Sequence, residues 1–285
     1  VELSEGDDGR GEDLPGTAAA DARTDARAHA VAVHVVVAPV FGTNCAVVAL
    51  GGGACVVVDA GAGVADRVVT LVEREGLEPR AVLATHGHVD HTWDAAAVCD
   101  RLGVPLVLHE ADAYRLADPF GTIERPASGA AASLVSGPLG AALRDAGAHP
   151  EEYREPADVR TFAGAPGDEL ALAETLGVGT AAGAGETPLG EPVLRAVPAP
   201  GHTEGSTLYL VGRPGAGAVL SGDVLFAGSV GRTDLPGGDG AMMSRTLRDV
   251  VGHLDPRWDV LPGHGPATTV GRELAGNPYL RAAGF

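Results

Sequence analysis

Three histidines and an aspartate crowd into one short run, Thr85-His86-Gly87-His88-Val89-Asp90-His91. Imidazole and carboxylate together suit zinc, iron or manganese better than calcium or copper(I). With ten histidines in 285 residues, an HxHxDH match arises by chance about once in a thousand such chains. The spacing also makes physical sense. In extended backbone, residues two apart point the same way, so His86 and His88 can grip one ion. Asp90 and His91 come as the chain turns into a helix, where they can face a second.

Four residues cannot close a two-metal site. Two ions about 3.5–4 Å apart want a shared anionic bridge and further ligands. His202 stands in Pro200-Gly201-His202-Thr203-Glu204-Gly205-Ser206, Asp223 in Ser221-Gly222-Asp223, and His264 in Leu261-Pro262-Gly263-His264-Gly265. Each follows an expected strand and has glycine beside it, which permits close backbone approach. Taken singly, each of the three is an ordinary turn residue.

The elements that must position these groups are legible in outline. Val31–Ala38, Ala46–Leu50 and the continuous run at 54–58 read as strands, the last buried on both faces. Gly51-Gly52-Gly53 reads as a hairpin turn. Val64–Arg74 has helical spacing and stops at Gly76. Ala81–Ala84 and Pro105–Leu108 read as strands, with a helix over Trp93–Leu102 between them. Gly129–Gly147 holds helical turns broken at Gly137-Pro138, and 177–190 is a low-complexity loop. Strands return at Val193–Val197, Thr207–Val211, Ala218–Leu220 and Trp258–Leu261, with a helix at Met242–Val251. Strands at both ends with helices between suggest two sheets packed together and covered by helices. The expected domains are a disordered acidic tail over 1–29 and a single catalytic domain over 30–285, with 116–167 as a variable insert over the site.

Composition narrows the partners. The net charge is −18 and every cation is arginine. That balance argues against nucleic acid and anionic membrane, which need a basic footprint. Three cysteines without CxxC spacing exclude a disulfide framework and fit a reducing cytoplasm. Cys45, Cys55 and Cys99 read as buried small hydrophobes. The acidic N-terminus is the opposite of a secretory leader, and the longest apolar run is too short for a membrane span.

HxHxDH, PGHTxGS, SGD and the final PGHG, in that order, resemble the metallo-β-lactamase-fold hydrolases from about Val33 to Tyr279. Gly42-Thr43-Asn44-Cys45, the run from Phe226 to Asp239, and PGHGPATT through Asn277-Pro278-Tyr279 are similar to the compact bacterial type II glyoxalase-like (hydroxyacylglutathione hydrolase-like) branch. The resemblance implies an α/β fold, the four-layer αββα sandwich, with the site at the mouth between the sheets. It implies that His86, His88 and His202 hold one divalent ion, that Asp90, His91 and His264 hold another, and that Asp223 bridges. β-Lactamases of this fold lack the bridging aspartate.

The implied chemistry is hydrolysis of a thioester such as an S-lactoyl thiol conjugate by a hydroxide shared between two ions. Zinc is the first expectation, with iron or manganese as alternatives. Asp90 and Asp223 are the implied catalytic carboxylates. A thiol of pKa about 8.5 can leave as thiolate, whereas an amine needs a proton donor. Arg232 falls where the resemblance puts a cation near the thiol carrier, although an arginine so placed is more often a structural ion-pair partner. Asp59, at a strand end, either braces the metal loop from behind or merely ends the strand. The larger type II glyoxalases carry a C-terminal helical domain for glutathione, which the stretch after His264 is too short to supply. The competing expectation is a mononuclear iron sulfur or persulfide dioxygenase using His86, His202 and Asp223. A nuclease would need a basic groove, and a non-catalytic relative would have lost ligands.

Overall fold

The computed structural model describes residues 2–5, 31–123, 138–172, 176, 193–213 and 216–285. The first sheet runs β1 (Glu2–Glu5), β2 (Ala32–Val37), β3 (Asn44–Gly51), β4 (Ala54–Val58), β5 (Glu78–Leu83), β6 (Leu106–His109) and β7 (Val159–Phe162), in that spatial order. The second contains β8 (Leu170–Ala171), β9 (Val193–Pro198), β10 (Thr207–Arg213) and β11 (Ala216–Gly222). A small ribbon of β12 (Leu225–Phe226) and β13 (Ser229–Val230) follows, and β14 (Asp259–Pro262) with β15 (Thr268–Thr269) completes the second sheet in the order β15-β14-β11-β10-β9-β8. Along the chain lie helices α1 (Ala65–Arg74), α2 (Val89–Thr92), α3 (Ala95–Leu102), α4 (Tyr114–Ala117), α5 (Pro138–Asp145), α6 (Gly240–Asp249), α7 (Val270–Gly276) and α8 (Pro278–Ala283).

The layers follow from the two-residue period of a strand. On β4, Val56 and Val58 face the second sheet and join Leu194, Tyr209, Val211 and Leu261 in the inter-sheet core. Cys55 and Val57 face the other way, against Val68, Leu71 and Val72 of α1 and Val98 of α3. The outer face of the second sheet, through Val197, Leu208, Leu210 and Val219, buries Met243 and Leu247 of α6, Val270 of α7 and Leu280 of α8. The result is helix, sheet, sheet, helix: the expected αββα sandwich. Asp239 starts α6, its carboxylate accepting from the amides of Ala241 and Met242, a cap typically worth about 1 kcal/mol. The β3–β4 turn has positive φ at Gly52 (59°) and Gly53 (86°), as a tight hairpin requires.

The structure bears on some of the remaining expectations, and others fall outside the described residues. The tail expected over 1–29 is described only at Glu2–Glu5, which pairs parallel with β2 as an edge strand. The loop expected at 177–190 lies outside the described residues, as does the first part of Gly129–Gly147; within the described part a helix, α5, begins at Pro138. The helix expected from Trp93 starts at Ala95, because the preceding turn α2 is a separate element. The short strands β7, β8, β12 and β13 carry too little periodic pattern to be read from sequence. Part of 116–167 docks as a small aromatic cluster: Phe120 and Tyr153 pack on Trp93, beside Val40, Val89 and Leu143. Among the described residues, no helix is long and apolar enough to cross a membrane.

Candidate metal centre

Strand direction brings the ligand-type residues together. β4, β5 and β6 are mutually parallel, so their C-terminal ends, leading to Asp59, His86 and Asp112, emerge at one edge of the first sheet. In the second sheet β11 is antiparallel to β10 and β10 to β9, while β14 is parallel to β11. The ends of β9, β11 and β14 therefore emerge together and deliver His202, Asp223 and His264. An isolated bridge between Thr43 and His264, and the bond from Asn44 N–H to the Gly263 carbonyl (2.8 Å), join the two sheets at that edge.

All seven residues singled out as ligands converge. One atom each from His86, His88 and His202 lies within 4.8 Å of the others, as in the trio Asp90, His91, His264 and the trio His86, His91, Asp223. His88 Nδ1 sits 3.0 Å from His86 Nε2 and 2.9 Å from His202 Nε2. His264 Nε2 is 3.1 Å from Asp90 Oδ2 and 3.3 Å from His91 Nε2. Asp223 stands between the groups, with Oδ1 3.4 Å from His91 Nε2 and Oδ2 3.6 Å from His202 Nε2.

The far sides of the rings decide where the protons are. His91 Nδ1 donates to Asp59 Oδ2 (2.9 Å) and His202 Nδ1 to the Arg232 carbonyl (2.7 Å). Thr85 Oγ1 donates to Asp59 Oδ2 (2.8 Å), leaving its lone pair for His86 Nδ1–H at 3.2 Å. With those protons on Nδ1, the Nε2 of each ring is the atom that points inward, and it is bare in the ligating form. Lone pairs and carboxylate oxygens aimed at one another repel unless a cation or protons lie between them. Asp223 Oδ1 is buried without a hydrogen-bond partner, as is His88 Nε2. A donor set of imidazoles and carboxylates with an orphaned, inward-facing oxygen fits divalent zinc, iron or manganese.

Electrostatics divides the cluster. Burial, then the neighbouring imidazoles, lowers His86 well below its ordinary pKa, and burial with His202 takes His88 to about 3. These rings keep their lone pairs free of protons. Burial disfavours charge on His91 too, but Asp59, Asp90 and Asp223 outweigh it and raise the pKa well above normal. Burial likewise opposes charge on Asp90 and Asp223, yet both are held below the usual carboxylate range, foremost by His91. Positive charge is thus favoured beside His91.

Asp59 lies behind the rings, accepting at Oδ2 from His91 and Thr85. Its Oδ1 also accepts from Thr85 N–H (2.8 Å). Thr43 Oγ1 donates to the Asp90 carbonyl (2.9 Å), and Asn44 Nδ2 donates to the carbonyls of Pro262 and Gly265, both at 2.9 Å. Arg232 touches the centre through its backbone alone. Its guanidinium lies exposed and paired two-pronged with Asp234, at 2.7 and 2.8 Å.

Sequence reasoning missed Asp112 and Arg115, both fully buried. Asp112 accepts from Gly87 N–H (2.8 Å), Thr203 Oγ1 (2.7 Å), Gly205 N–H (2.9 Å) and Arg115 Nε (3.3 Å). Arg115 also reaches Glu204 and the Pro236 carbonyl. Little local marks this aspartate, since apart from Arg115, three residues on, its partners are far away in sequence. The only available signal was the glycines at 87 and 205, whose Cβ atoms would collide with residue 112 at 2.7 Å in each case.

Residues 38–264 match the family model described as the metallo-beta-lactamase superfamily. The chain is 32% identical over 226 residues to the probable metallo-hydrolase YqgX of Bacillus subtilis (strain 168), covering 79% of this chain and 87% of that one. It is 24% identical over 251 residues to the hydroxyacylglutathione hydrolase GloC of Haemophilus influenzae, covering 88% and 98%. Among solved structures, TTHA1623 in a di-iron-bound form matches with a TM-score of 0.61 at 27% identity, covering 86% of this chain and 98% of that one.

Proposed function

The chain belongs to the metallo-beta-lactamase superfamily, and from that premise we propose that it is a binuclear hydrolase of thioesters. The substrate class is the S-acyl conjugate of a small thiol, S-lactoyl conjugates foremost, with a hydroxy acid and a free thiol as products. The observation that carries the binuclear reading is Asp223, whose two oxygens are divided between His202 and His91. GloC, a relative of similar length, is named for this type of hydrolysis.

In this reading His86 Nε2, His88 Nδ1 and His202 Nε2 would hold one divalent ion and Asp90 Oδ2, His91 Nε2 and His264 Nε2 would hold the other, with Asp223 standing between the two trios. Zinc is the proposed metal; iron, which TTHA1623 carries, is the alternative that metal analysis separates. Such a pair supplies a Lewis acid for the carbonyl and lowers the pKa of a bound water from 15.7 to about 7.

The protein's own share is orientation and proton placement. Asp59 keeps the proton on His91 Nδ1, and the Arg232 carbonyl keeps one on His202 Nδ1, so the inward nitrogens stay free to ligate. Asp90 is held ionised by His91 and His264 and needs no proton shuttle to serve as a ligand. A departing thiolate needs no proton at neutral pH, so the site requires no separate general acid. The segment 116–167, through Phe120 and Tyr153 on Trp93, steadies the turn that carries Asp90 and His91. A cytoplasmic location fits the three buried free thiols.

The test is metal counting on purified protein, followed by hydrolysis of S-lactoylglutathione read as thiol release. Two ions per chain with turnover are expected. A single iron, with oxygen uptake on glutathione persulfide and intact thioester, overturns the proposal in favour of dioxygenation.

A further inference from the structure

Asp112 ties together two loops whose flanking strands already touch through Thr207 N–H on the Thr85 carbonyl (2.8 Å) and the Tyr209 hydroxyl on the Ala84 carbonyl (3.0 Å). Its Oδ2 takes Gly87 N–H, from the residue between His86 and His88, and Thr203 Oγ1, from the residue after His202. Its Oδ1 takes Gly205 N–H from the same loop as His202. The proton arrangement closes. Thr203 donates its hydroxyl hydrogen to Asp112, and Ser206 Oγ, which accepts from Thr203 N–H (3.0 Å), returns its own hydrogen to Thr203 Oγ1 (2.8 Å). The approach is built in at the glycines, because a side chain at either 87 or 205 would strike residue 112. The trio Asp90, His91 and His264 depends on other braces: Thr43 on the Asp90 carbonyl, Asn44 on the Pro262 and Gly265 carbonyls, and Asp59 on His91.

We propose that Asp112 is a positioning residue dedicated to one half of the centre: it sets the loop of His86 and His88 against the loop of His202, and so tunes the affinity of that trio's ion alone. The proposal rests on the binuclear reading above. Asp112 reaches no reacting atom. It acts by fixing the distance between two loops whose imidazoles must converge within a few tenths of an ångström to share an ion. An amide at this position keeps one acceptor and turns an N–H toward donors, so at least one loop loses its anchor. Losing such an outer partner typically costs 10- to 100-fold in metal affinity.

The experiment is competition titration of metal-free protein with zinc(II) against a chromophoric chelator, repeated with cobalt(II) to read the ligand field by visible absorption. Asp112→Asn is combined with His264→Ala, which leaves the Asp112-braced trio complete, and separately with His202→Ala, which leaves the other. A 10- to 100-fold weaker ion in the first background and no change in the second is the expected result. Thr203→Val, which removes one donor and keeps the side-chain shape, is expected to weaken the same ion by a smaller factor. It also tests the idea if Asp112→Asn does not fold. Equal loss in both backgrounds overturns the dedicated role, as does wild-type affinity in the first. A wild-type chain that takes up no ion at all overturns the metal reading itself, which distinguishes the two failures.

Discussion

Replacing Asp59 with Asn tests the proton placement of the site with little change in shape. Asp59 adopts a left-handed backbone (φ 59°), which asparagine tolerates better than most residues. The amide oxygen can keep the bond from Thr85 N–H. The amide nitrogen then replaces Oδ2, which accepted from both Thr85 Oγ1 and His91 Nδ1. Two donors now face a donor. His91 answers by accepting at Nδ1, which moves its proton to Nε2, the atom aimed at His264, Asp90 and Asp223. Thr85 turns its hydrogen toward His86 Nδ1, so that ring is disturbed in second place. The lost contact is a hydrogen bond to a charged group, worth about 1.5–3 kcal/mol; at 1.4 kcal/mol per decade this is roughly 10- to 150-fold in affinity for the ion at His91. The assay is zinc(II) competition on metal-free Asp59→Asn, with thermal unfolding to show that the fold persists. Thioester turnover is expected to fall at least in parallel. Wild-type affinity for both ions would refute the tautomer argument, and so would a lowered Tm with metal binding untouched.

Three further outcomes follow from the same geometry. Asp223→Ala removes the carboxylate placed between the two trios and is expected to abolish turnover while each trio still binds an ion, more weakly and independently; metal counts and kinetics check this, and full activity refutes the bridge. Arg232→Ala keeps the carbonyl that holds His202 and removes only the exposed guanidinium, so metal content stays constant while KM for an anionic thiol conjugate rises several-fold; an unchanged KM shows that pairing with Asp234 is the side chain's whole role. Alkylation needs the thiolate, and burial raises Cys55 to about 11 and Cys99 to about 12, with Cys45 also pushed up; in folded protein at pH 8 all three thiols are expected to resist iodoacetamide and to react on denaturation, as counted by mass spectrometry.

What the sequence by itself determined is what local spacing can carry. The β-branched run at 54–58 is a strand buried on both faces whatever surrounds it. The period from Val64 to Arg74 makes a helix, and HxHxDH at a strand end puts four ligand residues on one turn. The family resemblance that the ordered motifs carry implied an αββα sandwich. Tertiary structure decided everything that depends on strand direction and on partners distant in the chain. Only the parallel pairing of β4, β5 and β6, and the shared direction of β9, β11 and β14, bring Asp59, His202, Asp223 and His264 to one edge. Which nitrogen of His86, His91 and His202 faces inward is set by Thr85, Asp59 and the Arg232 carbonyl, a pairing the ligand motifs do not reveal. Asp112 is the clearest case. In the run HEADAYR it is an unremarked acid, and it acquires a role because Gly87, Thr203 and Gly205 arrive beside it. A buried carboxylate must find donors, and only the folded chain determines which donors are within reach.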